Sequence, residues 1–163
     1  MKTNGELKMS RIDNIVNFAQ KREEEAIAKE KALQQRIENY KTQILALKPR
    51  IDELIAVGNA CLDNNISMEC HDTHQDYKSH HFMTNGWSHL LGFVSPWHSG
   101  KRTSITKLGI QGGGCCHYDL KTDGTTVDVS GRDTEYVLKR FVNEFDEFET
   151  EFYKYVDGIT QGK

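Results

Sequence analysis

The stretch GIQGGGCCHYDLKTDG, residues 109–124, decides the fold. Three consecutive glycines after an apolar run invite a reading as a phosphate cradle, and with it an α/β fold. A P-loop needs a strand, the pattern GxxxxGK[ST], and then a helix whose N-terminus faces the phosphate. No Lys-Ser/Thr pair follows Gly114, and CCHYDL continues with strand-like residues. The stretch therefore predicts strand, bend, strand and turn. GIQ ends one strand, residues 112–114 bend the chain, CCHYDL forms the next strand, and Asp123-Gly124 turns into a third.

The same signals extend outward on both sides. Strands are expected near 79–84, 87–94, 104–111, 115–120 and 125–130, with Asn85-Gly86 and Asp123-Gly124 as hairpin turns. Consecutive strands with short loops imply a small antiparallel β-meander. Beyond it, DTEYVLKRFVNEFDEFETEFYKYVD, residues 133–157, places Val137, Phe141, Phe145, Phe148, Phe152 and Tyr155 at spacings of three and four. That is the apolar stripe of an amphipathic helix, with Asp133 as its N-cap and Gly158 as its stop. The predicted class is α+β.

Residues before the meander carry a different period. Ser10 and Asp13 suggest a capping box opening a helix. A heptad then runs through a positions Val16, Glu23, Glu30, Ile37, Ile44, Ile51 and Gly58 and d positions Ala19, Ala26, Leu33, Tyr40, Leu47, Leu54 and Cys61. The coiled-coil-like signal is strong over 33–55 and weak where Glu23 and Glu30 occupy a. Pro49 either kinks this helix or starts a second one. Unbroken phase from Ile44 to Ile51 favours a kink. The expected domains are a long helical segment, 1–63, and a small α+β domain, 64–163.

Charge links the two ends. Residues 1–50 carry 11 Lys/Arg against 7 Asp/Glu, a balance of +4, and residues 51–163 carry 10 against 17, a balance of −7. The heptad flanks Arg22, Lys29, Arg36, Lys41, Lys48 and Arg50 are basic, so a parallel homodimer through this helix gains no ion pairs across Arg36 and Lys41. An acidic partner exists in the same chain: Glu144, Asp146, Glu147, Glu149 and Glu151 flank the aromatic stripe. The C-terminal helix is expected to pack antiparallel on the basic helix, with Asp146 and Glu149 left free. The sharper alternative has this acidic face imitate nucleic-acid phosphates on a partner's basic groove.

Other candidate sites are local. SPWHSGKR, residues 95–102, offers Trp97, His98, Lys101 and Arg102 in a flexible loop, and an aromatic ring together with Arg is typical of contact hot spots. All 7 histidines lie between His71 and His117. Cys70 and His74 share a helical face, and Cys115 and His117 share a strand face. Together these four make a Cys₂His₂ zinc site if the two elements meet, although the spacing matches no common zinc finger. Otherwise no cofactor is expected. Cysteine catalysis by Cys115 with His117 lacks a helix N-terminus to lower the thiol's pKa, and no catalytic residue is assigned. The 4 cysteines are expected to be reduced in a cytoplasmic protein, because no run of basic then apolar residues opens the chain. No apolar run is long enough to span a bilayer.

The segment from Trp87 to Gly124 reads WSHLLGF, then ITKLGIQGGG, then YDLKTDG. It resembles the C-terminal part of small accessory proteins carried by prophages and mobile elements of Gram-positive bacteria. A long charged N-terminal helix before a small meander is similar to the plan of some anti-CRISPR proteins that inhibit Cas9. The resemblance covers about a quarter of the chain, by way of glycines and aromatics that specify a fold better than an activity. It implies a non-enzymatic inhibitor of a bacterial defence nuclease acting in the host cytoplasm, for which the residues read above, Glu144, Asp146, Glu147, Glu149, Glu151, Trp97, Lys101 and Arg102, are the candidate contacts. The alternatives are a homo-oligomeric coiled-coil scaffold and a zinc-dependent nucleic-acid-binding protein. The net charge of −3 argues against direct nucleic-acid binding.

Overall fold

The computed structural model describes residues 4–68, 82–84, 90–112 and 117–162, with side chains from residue 10 onward. The fold is α+β. Its elements are α1 (Asn4–Leu45), α2 (Lys48–Asp63), β1 (Gly92–Val94), β2 (Trp97–His98), β3 (Lys101–Arg102), β4 (Lys107–Gly112), β5 (Tyr118–Thr122), β6 (Val127–Gly131) and α3 (Thr134–Thr160). The chain divides into two compact units, Met1–Arg36 and Ile37–Lys163. The helix α2, grouped with the long helix in the sequence, contributes its packing to the second unit.

In the first unit, the helix starts at Asn4 rather than at the expected Ser10–Asp13 box, which lies inside it. Ile12, Ile15, Val16, Phe18 and Ile27 are exposed along this part of the helix. Within it the guanidinium of Arg22 lies 5.7 Å from the Phe18 ring centre.

In the second unit the helix is interrupted at Ala46 and Leu47. Leu47 N donates to Ile44 O at 2.9 Å, and Pro49 stands in the first turn of α2, where its missing N–H costs nothing. The heptad keeps its phase across the break: Ile37, Ile44, Ile51, Leu54 and Cys61 are all buried.

The sheet is a four-stranded antiparallel meander in the order β1-β4-β5-β6. Register places Phe93 against Leu108, Ile110 against Leu120, and Leu120 against Val129, so these side chains share one face. The other face carries Lys107, Asp119, Lys121 and Asp128, with Lys107 Nζ 3.3 Å from Asp128 Oδ2. The helix α3 covers the apolar face with Val137, Leu138, Phe141, Phe145, Phe148 and Phe152, all buried. Edge-to-face contacts join Phe93 to Phe152 at 4.8 Å and to Phe148 at 5.2 Å. Each such pair adds roughly 0.5–1.5 kcal/mol beyond area burial. Asp133 is the N-cap residue, without a side-chain cap bond, and α3 continues past the expected stop at Gly158 to Thr160.

The helix α2 enters the same core. Gly58 permits this approach: a Cβ there would lie 2.8 Å from Ile105 Cδ1 and 3.3 Å from the Phe93 ring. Beside it, Asn59 Nδ2 donates to Ile105 O at 2.9 Å, and Ile105 N donates to Asn59 Oδ1 at 2.6 Å. The amide satisfies a buried backbone position that no strand neighbour reaches.

Two expectations about the meander are corrected. The expected strand 79–84 is described only over 82–84, where it lies parallel to β1, with Met83 bridging Phe93. A hairpin at Asn85-Gly86 would make this pairing antiparallel. The parallel placement seats Phe82 on Phe152 at 5.2 Å and on Phe148 at 6.1 Å. Asn85, Gly86 and Trp87 lie outside the described residues. Second, 95–102 is not a loose loop. Trp97–His98 and Lys101–Arg102 form an antiparallel ribbon closed by Ser99 and Gly100 at φ 53° and 79°. Two positive-φ residues are what a type I′ hairpin turn requires. The turn at Asp123-Gly124 is confirmed as a hairpin between β5 and β6, with Asp123 Oδ1 accepting from Thr125 N and Thr126 N.

Candidate functional site

The partner-contact residues singled out in the sequence fall on two surfaces of the second unit. The first is the acidic side of α3. Arg50 of α2 donates from Nε to Glu149 Oε2 at 3.0 Å, from Nη2 to Glu149 Oε1 at 2.6 Å, and from Nη2 to Asp146 Oδ1 at 2.7 Å. Its guanidinium also lies 4.8 Å from the centre of the Phe145 ring. Hydrogen bonds to Glu149, and then to Asp146, hold Arg50 above its ordinary pKa. Asp146 and Glu149 are therefore not free, as the sequence suggested, but paired within the chain.

The helix arrangement also differs from the antiparallel one expected. Arg50 meets Asp146 and Glu149, while Tyr155 donates to Ser67 O just beyond the end of α2. The pairings advance in the same direction along both segments. The side chain of Glu149 is 21% exposed and that of Asp146 is 82% exposed, so the node is half solvated and Asp146 still faces outward.

Glu144 is engaged elsewhere. Arg140 donates from Nη2 to Glu144 Oε1 at 3.0 Å and from Nη1 to Tyr118 OH at 3.1 Å. Burial, the largest single influence, pulls the Arg140 pKa down, but the hydrogen bond to Glu144 together with the charges of Glu144, Tyr118 and Tyr136 outweighs it, and the net shift is upward. Glu147 is exposed and Glu151 half-buried.

The second surface is the β2–β3 ribbon. Arg102 stacks on Trp97 at 4.9 Å and donates from Nη1 to Ser95 O at 2.7 Å. Ser95, itself buried, donates its hydroxyl to Thr103 O, and Thr103 N donates to Pro96 O at 2.8 Å. The base of the ribbon is thus pinned. Trp97 remains 55% exposed, and Lys101 is exposed beside it.

Of the four metal-ligand candidates, Cys70, His74 and Cys115 lie outside the described residues. His117 is described and exposed. Among the described residues no group of three or more His, Cys, Asp or Glu could hold a metal ion. The buried thiol of Cys61 has its pKa raised by desolvation, which disfavours the reactive thiolate. No described helix is long and apolar enough to cross a membrane.

Sequence reasoning missed Asn59 and the Ser99-Gly100 turn. The Ser-Gly dipeptide is itself a turn signal. Nothing local marks Asn59, whose partner is 46 residues away. No family model, curated protein or solved structure matches this chain.

Proposed function

We propose that the chain is a non-enzymatic inhibitor that binds a bacterial defence nuclease of the Cas9 type and blocks a nucleic-acid-binding surface on it. The observation that carries the binding reading lies in the unit Met1–Arg36. There Ile12, Ile15, Val16 and Ile27 are 46%, 67%, 47% and 61% exposed. Ile12, Ile15, Val16 and Ala19 follow helical i, i+3, i+4, i+7 spacing and so share one face. An amphipathic helix of this kind suits docking into a partner's apolar groove. On α3, Asp146 and Glu147 face solvent and provide negative charge for a basic channel, where phosphate contacts normally dominate affinity. The Cas9-type target rests on the family resemblance in the sequence.

Capture of purified Cas9 by the full chain, with and without guide RNA, tests the target. Binding to one form, lost in an Ile12→Asp/Val16→Asp variant that keeps its far-ultraviolet dichroism, is the expected result. Absence of binding to both forms sinks the target.

The same stripe favours one second reading, a homo-oligomeric scaffold. A parallel self-pair sets Arg36 against Lys41, and an antiparallel one sets the basic flank Arg22, Lys29 and Arg36 against its own copy, which favours a different partner. Light scattering decides: a strict monomer across concentration removes the scaffold.

A further inference from the structure

The acidic balance of the chain is unevenly placed. Residues 77–118 contain no Asp or Glu and carry Lys78, Lys101, Arg102 and Lys107. That stretch contributes +4 to a chain of net charge −3, so the rest carries −7. Within it, Lys107 is paired with Asp128, whereas Lys101 has no ion pair among the described residues. Lys101 stands on the β2–β3 ribbon beside Trp97, the most exposed described aromatic ring of the stretch at 55%.

The ribbon's construction narrows what it can contact. The Arg102 guanidinium covers one side of the indole at 4.9 Å and is held in place by Ser95 O at 2.7 Å. The tip around the ring is Pro96, His98, Ser99, Gly100 and Lys101, all exposed. That rim is too polar to form the core of a protein interface, which is typically about 65% apolar. It does supply what an unpaired base and its phosphates need: a flat π-surface, a stacked guanidinium and a free ammonium. The type I′ turn and the pinned base hold these groups in place before any ligand arrives, which lowers the ordering cost of binding.

We propose that the Trp97–His98/Lys101–Arg102 ribbon is a contact site for single-stranded nucleic acid, with Trp97 stacking on a base and Lys101 and Arg102 facing adjacent phosphates. This inference does not depend on the nuclease target. Its test contains no nuclease, so failure here and failure of nuclease capture are read separately.

Fluorescence anisotropy of labelled oligo(dT) titrated with the full chain at low salt provides the test. The expected binding weakens with salt at a logarithmic slope of about −1.4, two phosphates at ~0.7 each. Trp97→Ala and Lys101→Glu each weaken it, Trp97→Ala by about fivefold or more, the loss of one stacked base. Trp97→Phe keeps most of the affinity. Both positions are at the surface, so the three variants retain the parent's thermal unfolding. No binding at low salt overturns the proposal, as does binding that Trp97→Ala leaves unchanged. Equal competition by poly-glutamate of matched charge also overturns it and points instead to an acidic protein partner.

Discussion

Arg50 and Glu149 form a two-pronged ion pair between α2 and α3, at 3.0 and 2.6 Å, with the Phe145 ring beneath the guanidinium. The pair spends on folding a charge that was available for a partner. It also ties together two helices otherwise joined through the aromatic core, so its loss reports on docking of α2 as well as on electrostatics.

Arg50→Ala is expected to lower stability by about 1–2 kcal/mol, above a lone surface pair because the fork is bidentate and stacked. Arg50→Lys recovers only part, since an ammonium cannot reproduce the planar fork. Glu149→Gln costs more than Asp146→Asn, because Glu149 is 21% exposed and Asp146 82%. Urea unfolding of the four variants gives the order. No measurable cost for either acidic variant would show that Arg50 works by packing on Phe145 alone.

Gly58→Ala is expected to destabilise even though Ala favours helix by about 1 kcal/mol over Gly. The new Cβ would sit 2.8 Å from Ile105 Cδ1. Overpacking of this kind costs roughly 1–3 kcal/mol. Ile105→Val deletes the opposing methyl, so the double variant is more stable than the sum of the two single changes allows. Simple additivity in chemical denaturation would contradict the contact.

Asn59→Ala leaves both Ile105 N and Ile105 O without their partner, with an expected loss of about 1–3 kcal/mol for a buried group left unsatisfied. Asn59→Asp keeps the acceptor but turns an anionic oxygen toward the Ile105 carbonyl. At neutral pH it is at least as damaging as Ala. Repulsion by the carbonyl raises the folded-state pKa of the new acid, so stability recovers as pH falls from that raised value toward the ordinary Asp value near 4, where the protonated acid can donate again. Thermal melts at pH 7 and pH 4 separate the two variants.

The parts legible in the sequence are those governed by local period. Phe141, Phe145, Phe148 and Phe152 announce α3 by spacing, and all are buried. Arg50 could be picked out as a basic flank wanting an acidic neighbour, and it found one. Which acidic residues it took depends on the rotation and direction of α2 against α3, and no local pattern encodes those. The heptad over Val16 to Glu30 is continuous with the buried one beyond Ile37, yet Val16 is 47% exposed and Ile37 7%. Period alone does not say where packing stops. The parallel sense of 82–84 against β1 goes with the seating of Phe82 on α3, a long-range contact that no local pattern encodes. Cys70, His74 and Cys115 lie outside the described residues.

Tyr153 supplies a pH-dependent prediction. Its hydroxyl is buried with no hydrogen-bond partner among the described residues. Burial, reinforced by Glu53 and Glu149 and opposed by Arg50, pushes its pKa up to about 12. An unfolded tyrosine ionises near 10. The folded state therefore holds the proton between these values while the unfolded state releases it, and stability falls as pH rises through this window. Below the unfolded pKa the contribution is complete and constant. Tyr153→Phe removes both the orphaned hydroxyl and the titration. At pH 7 it should be neutral or stabilising, by up to about 1 kcal/mol, because no partner is left behind. Above pH 10 its stability should decline less steeply than the parent's. Urea midpoints at pH 7, 9 and 11 measure both effects, and a Tyr153→Phe variant that loses stability at pH 7 would show that the hydroxyl has a bonded partner after all.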